Sequence, residues 1–194
     1  AVLRMVQDFR KSDSTTPVLL MGYANPVMHM GYAAFADAAA AVGLDALLTV
    51  DIPPEEVDGI NAELQRVGMD NIFLVAPTTP DERIARIAAR ASGFIYYVSL
   101  KGVTGAGHLD TGDVARRLEA IRSHSDLPIA VGFGIKDADS ARAVAAVADG
   151  VVVGSALVNA MAQAIEDGDG VEAAVSAAAE LLGQIRKGID CAAS

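Results

Sequence analysis

The sequence predicts an α/β fold built from parallel βαβ units. Six short β-branched runs recur along the chain, each is followed by an Ala-rich segment of helical length, and the runs are continuously apolar rather than alternating. Continuous apolar runs mark strands covered on both faces, and strands that alternate with amphipathic helices pair in parallel.

The elements follow in order. In the opening "AVLRMVQDFRK", Val2, Leu3, Met5, Val6 and Phe9 fall at helical spacing, so the chain starts inside a helix. The strand runs are "PVLLMGY" from Pro17, "ALLTVD" from Ala46, "IFLVAP" from Ile72, "FIYYVS" from Phe94, "PIAVGFG" from Pro128 and "GVVVGSA" from Gly150. In "DIPPEEVDGINAELQRVG", Asp51 precedes two prolines and two glutamates, which predicts a helix start there, and Gly68 predicts its stop. "TTPDERIARIAARASG" repeats the pattern, with Pro80, Asp81 and Glu82 in front and Gly93 behind. Successive runs begin about 22 to 34 residues apart, close to the unit of a (β/α)8 barrel. A closed barrel needs eight strands; with six, either the sheet is open or the sequence is a piece of a longer protein.

Composition narrows the function. The 194 residues, 52% of them hydrophobic, suit one domain spanning residues 1–194. A net charge of -10 with scattered Lys and Arg leaves no basic stripe for a nucleic-acid backbone. No apolar run nears the roughly 18 residues of a membrane span, and no secretory leader is visible, so the expectation is a cytoplasmic protein without membrane contact. The single cysteine, Cys191, allows no internal disulfide and fits a reducing compartment. His29, His108 and His124 lack metal-ligand spacing, and no Ser/His/Asp or Cys/His set is evident, so no metal is expected.

In parallel α/β folds ligands collect at the carboxyl ends of the strands. The exits hold Gly22 to Asn25, Asp51, Ala76 to Thr79, Ser99 to Ala106, Gly132 to Gly134, and Gly154 with Ser155. Glycine lets the main chain approach an anion, and a helix starting just beyond turns free N–H groups and its positive dipole end toward it. Two consecutive strands ending in glycine, with a glycine-rich loop before them, favour a phosphate site at Gly134, Gly154 and Ser155 over simple relief of crowding. Asp51 stands at a strand exit either as an acceptor for a substrate N–H or hydroxyl or as the cap of the helix that follows. Tyr96 and Tyr97 point to opposite faces of their strand, and Tyr23 and Phe133 are candidates for an aromatic wall. The long loop "SLKGVTGAGHLDTGD" has the composition of a lid over the ligand.

"LLMGYANPV", "VDIPPEE", "FLVAPTTPDERI", "YYVSLKGVTGA", "AVGFGI" and "DGVVVGSALV", in this order and at these separations, resemble the α subunit of tryptophan synthase. The resemblance implies a (β/α)8 barrel, here with about six βα units and without the family's first two strands. It implies retro-aldol cleavage of indole-3-glycerol phosphate to indole and glyceraldehyde 3-phosphate. No cofactor is implied for this chain, since pyridoxal phosphate belongs to the β subunit that receives the indole in an α2β2 assembly. Carried over by motif, Gly105, Gly134, Gly154 and Ser155 hold the phosphate beside Phe133, Tyr23 and Tyr96 lie near the indole, and Thr104 orients the site from the lid. Asp51 is the one carboxylate left at the rim, as a substrate-binding residue. Asn25, Pro26 and Pro53 fall in segments facing the β subunit.

The family's glutamate acid/base and indole-binding aspartate lie in segments with no counterpart here, so no catalytic residue is assigned and activity of the chain alone is doubtful. Two other readings are another phosphate-binding barrel of indole or thiamin biosynthesis, against which "GVTGA" argues, and a non-catalytic partner that docks on and modulates a β-type subunit.

Overall fold

The computed structural model describes residues 1–99, 111–132, 134–168 and 170–191. They fall into two compact units, residues 1–74 with 80–95, and residues 75–79 with 96–194. All six strand runs form strands.

The first unit holds α1 (Val2–Arg10), β1 (Leu19–Gly22), α2 (Ala24–Met30), α3 (Tyr32–Ala41), β2 (Ala46–Thr49), α4 (Asp58–Arg66), β3 (Asp70–Val75, of which Val75 belongs to the second unit) and α5 (Asp81–Ala88). β1 pairs in parallel with β2, Leu19 opposite Ala46 and Gly22 opposite Thr49, and β2 with β3, Ala46 opposite Asp70. The parallel pairing follows from the helices between the strands, which return the chain to the same end of the sheet each time. Leu48, Ile60, Leu64, Ile72 and Ile84 are fully buried and form the centre of this unit.

Two helix boundaries differ from the sequence reading. α4 starts at Asp58, not beside Asp51, and residues 52–57 are non-helical. The cause is Pro54, which pushes Pro53 out of the helical region, so the chain makes a turn closed by the Glu56 N–H on the Pro53 carbonyl at 3.0 Å before the helix can begin. After β1 there are two helices instead of one, because Gly31 sits at φ 86°, a conformation that ends α2 and frees α3 to start in a new direction.

The second unit holds β4 (Ile95–Val98, of which Ile95 belongs to the first unit), α6 (Thr111–Arg122), β5 (Ile129–Gly132), α7 (Ala138–Ala145), β6 (Gly150–Val152), α8 (Ser155–Glu166) and α9 (Gly170–Asp190). β5 and β6 are parallel, with Ala130 opposite Gly150 and Gly132 opposite Val152. Just past β4, the Ser99 N–H donates to the Gly132 carbonyl at 3.0 Å, so the exits of β4 and β5 lie side by side. Leu118, Ile121, Ile129 and Val131 are fully buried. Among the described residues no helix is long and apolar enough to cross a membrane.

Candidate functional site

Three strand exits of the second unit converge on one cavity of about 370 Å³, lined by Tyr96, Gly134, Ile135, Lys136, Val152, Gly154, Ser155, Ala156 and Asn159. β4 supplies Tyr96, the turn after β5 supplies Gly134 to Lys136, and the first turn of α8 supplies Ser155, Ala156 and Asn159. Four of the residues expected at the ligand from sequence, Tyr96, Gly134, Gly154 and Ser155, are thereby brought together.

Each has a local reason for its place. Tyr96 is half-buried while Tyr97 is buried at 3% exposure, as alternation along a strand requires. The Tyr96 side chain lies against Gly132: a Cβ built on that glycine would sit 2.5 Å from Cε2 and 2.8 Å from Cζ of the ring, and closer still to Oη. Only a residue without a side chain lets the ring occupy this position, and burial there pushes the phenol pKa up. Gly134 has φ 77°, which an L side chain adopts at a cost, and it faces open space, as does Gly154.

Gly154 is the N-cap of α8 and has no side chain to satisfy the helix start. Its carbonyl accepts the N–H groups of Leu157 at 2.9 Å and Val158 at 3.2 Å. Among the described residues nothing accepts from the N–H groups of Ser155 and Ala156. Two unused donors, the Ser155 hydroxyl and the positive end of a 12-residue helix thus stand at one cavity wall. Such a wall suits an anion of the size of phosphate.

The model of the tryptophan synthase alpha chain family matches residues 1–188. The tryptophan synthase alpha chain of Thioalkalivibrio sulfidiphilus is 58% identical over 189 residues, covering 97% of this chain and 70% of the relative. The chain belongs to the tryptophan synthase alpha chain family. The Chromobacterium violaceum member is 60% identical over 157 residues, 81% of this chain and 60% of that protein. Among solved structures, the alpha subunit from Legionella pneumophila superposes with a TM-score of 0.87 at 42% identity, over 97% of this chain and 68% of that one. A chain of the tryptophan synthase α2β2 complex from the hyperthermophile Pyrococcus furiosus gives 0.83 at 33% identity, over 95% and 72%. The α/β barrel fold expected from the resemblance is the fold of this family member, with six strands among its described residues.

The remaining residues carried over from the tryptophan synthase α resemblance lie elsewhere. Thr104, Gly105 and Phe133, and the lid expected over residues 99–113 apart from its ends, lie outside the described residues. Tyr23, 68% exposed, belongs to the first unit, where it lines a groove of about 510 Å³ together with Met21, Pro26 and Met30. Asn25 and Pro26 are exposed in the first turn of α2, and Pro53 is half-buried in the turn before α4.

Asp51 does not cap the helix that follows it, because that helix starts seven residues later. Its Oδ1 accepts the N–H of Ala24 at 2.7 Å and so caps α2, a helix entered from the neighbouring strand. The carboxylate remains exposed and keeps further acceptor capacity.

Sequence reasoning missed Lys136 and Asn159. Asn159 follows Ser155 by four residues on α8, so it shares its face. Lys136 stands two residues past Gly134 in the same strand-exit turn. Both were findable from the spacing, given that the exits of β5 and β6 carry the site.

Proposed function

We propose that this chain binds indole-3-glycerol phosphate through the cavity of its second unit and serves the lyase reaction of the tryptophan synthase α family, the release of indole and glyceraldehyde 3-phosphate. The phosphate rests on the start of α8, where Gly154 and Ser155 hold it through main-chain N–H groups, and on the turn at Gly134. The observation that carries the reading is the pair of unused donors, Ser155 and Ala156 N–H, at the wall of a cavity kept open by Gly134 and Gly154. Tyr96 stands beside the phosphate with its ring toward the indole end. Gly105, Thr104, Phe133 and Tyr23 are further substrate residues by their match to the family motif, and Asp51 is one as the carboxylate at a strand exit.

The reaction needs a proton placed on the indole ring and one taken from the side-chain hydroxyl; the residues named here bind and orient the substrate for those steps. The chemistry assigned to this chain uses no cofactor. Asn25, Pro26 and Pro53 face a tryptophan synthase β subunit, in an assembly of the α2β2 kind named for the Pyrococcus furiosus protein, and the protein works in the cytoplasm.

The test is calorimetric titration of the chain with glycerol phosphate, with glycerol as the uncharged control and Gly154→Asp as the variant. Glycerol phosphate should bind, while glycerol and the Gly154→Asp chain should give no heat. Equal binding by wild type and variant would remove the phosphate from this cavity. Retention of the chain by an immobilised β subunit, reduced by Asn25→Ala with Pro53→Ala, tests the docking face.

A further inference from the structure

We infer that Lys136 strengthens the preference of the anion cavity for a dianion, supplying the one full positive charge among its described lining residues. The inference rests on the phosphate reading above and adds a residue and a selectivity to it. Among the described residues lining the cavity, Lys136 alone is charged. Other cations of the second unit sit on carboxylates: Arg122 on Asp149, Arg142 on Asp139 and Arg186 on Asp190. Among the described residues Lys136 makes no salt bridge, although its charge helps to hold the Asp137 carboxyl below the usual range, after the hydrogen bonds from Ser140. Its nearest neighbour in sequence, Asp137, turns its carboxylate to the start of α7, where Oδ1 accepts from the Ser140 N–H at 2.8 Å and the Ser140 hydroxyl at 2.7 Å. The backbone is equally fixed, since the Lys136 N–H donates to Ser140 Oγ at 3.1 Å. The capping box of α7 therefore holds the root of Lys136 still and directs the Asp137 carboxylate to Ser140 rather than into a salt bridge, and Lys136 itself is exposed.

In a chain with a net charge of -10, a cation at the rim of an anion cavity acts out of proportion to its number. Main-chain N–H dipoles already hold a dianion more strongly than a monoanion. The energy of a full charge at the rim also scales with the charge of the ligand, so it widens that preference. Lys136 thus favours a phosphate monoester over a carboxylate or a sulfate monoester of the same shape. Because the ammonium is solvent-exposed, its contribution is screened by salt, whereas that of the N–H groups is not.

The experiment titrates the full chain with glycerol 3-phosphate and with glycerol sulfate at about 25 mM and 500 mM salt. The variants are Lys136→Gln, Lys136→Arg and Gly154→Asp. Lys136→Gln should weaken glycerol phosphate about tenfold at low salt and about threefold at high salt, and should weaken glycerol sulfate by no more than about threefold at either. Lys136→Arg should stay within about threefold of wild type for both. The melting temperature of Lys136→Gln should match wild type, since the side chain holds no structural partner. If Gly154→Asp abolishes binding while Lys136→Gln binds glycerol phosphate like wild type, or loses both ligands equally, the role of Lys136 is refuted and the cavity reading stands. If Gly154→Asp binds like wild type, or wild type does not bind, both fall.

Discussion

The contact between Tyr96 and Gly132 gives the sharpest test of how the site is built. Gly132 ends β5 with ordinary backbone angles, so alanine there carries no conformational penalty, and the whole cost comes from the Tyr96 ring. The new methyl would stand 2.5 Å from Cε2 and 2.8 Å from Cζ, against about 3.5–4.0 Å for a comfortable carbon contact. The ring must therefore shift by about 1 Å or more. Overpacking of this kind costs about 1–3 kcal/mol. Because Tyr96 is half-buried and faces the cavity, the ring can swing toward open space, which places the expected loss near 1 kcal/mol and lowers the melting temperature by about 2–4 °C. The binding loss should be larger, on the order of tenfold for glycerol phosphate, since the ring moves into the space of the ligand. Tyr96→Ala removes all three crowded atoms, so in that background Gly132→Ala should cost less than about 0.5 kcal/mol. The assay is a double-mutant cycle by urea unfolding and calorimetry. Additive losses would show that Gly132 is needed for something other than the position of Tyr96.

Three further outcomes follow from the first and second units. Arg10 donates to the carbonyls of Gly43 at 2.8 Å and Thr16 at 2.7 Å and to Asp45 at 2.6 Å, with its side chain 15% exposed, so Arg10→Met should lower urea stability by about 2–3 kcal/mol, and Arg10→Lys should not restore it. The buried amides of Asn71 and Asn61 meet at 2.5 Å, and Asn61 passes the bond on to the Arg90 carbonyl at 3.1 Å; Asn71→Leu alone should cost about 2 kcal/mol in unfolding experiments, and adding Asn61→Leu should cost less than a second such step, a result excluded if the losses simply add. Asp149 is held below the usual carboxylate range, first by the Ile129 N–H and then by Arg122, so its stabilisation is complete above about pH 4 and is lost as pH falls through its lower folded-state value; Asp149→Asn should flatten the acid limb of a stability–pH curve, and an unchanged limb would remove Asp149 from it.

The strands were legible because their signal is local. A β-branched apolar run bounded by Gly or Pro needs only its own residues to be recognised, and all six runs begin within two residues of the strands they form. The cavity was legible for a related reason: in a parallel fold the ends of neighbouring strands must meet, so glycine at the exits of β5 and β6 already placed Gly134 and Gly154 together. The failures are all of one kind. The two helices after β1 were read as one segment: Pro26 occupies the third position of α2, where its missing N–H has no intrahelical acceptor to lose, and Gly31 ends that helix early. Asp51 was expected to serve its own helix and instead serves Ala24, 27 residues earlier. Lys136 is unremarkable in the sequence because its meaning depends on where Asp137 points, which the capping box with Ser140 decides.

An acidic chain that binds a dianion must solve a problem of range. The net charge of -10 repels the ligand at long distance, but at physiological salt a charge is felt over about 8 Å, so carboxylates beyond the cavity contribute little while donors lining it act at full strength. Among the described residues lining the cavity none is acidic. Glu172 and Glu180 on α9 are exposed and do not line it. Neutralising both, as Glu172→Gln with Glu180→Gln, should therefore change the affinity for glycerol phosphate by less than about twofold at 150 mM salt, although it alters the net charge by two. Ser155→Ala, which alters no charge, should weaken binding about tenfold or more, the worth of one hydrogen bond to an ionised group. The comparison is a calorimetric titration of the two variants side by side. If the glutamine pair binds several times more tightly than wild type while Ser155→Ala is neutral, the ligand responds to the overall field of the protein, and the donors at the start of α8 are not what hold it.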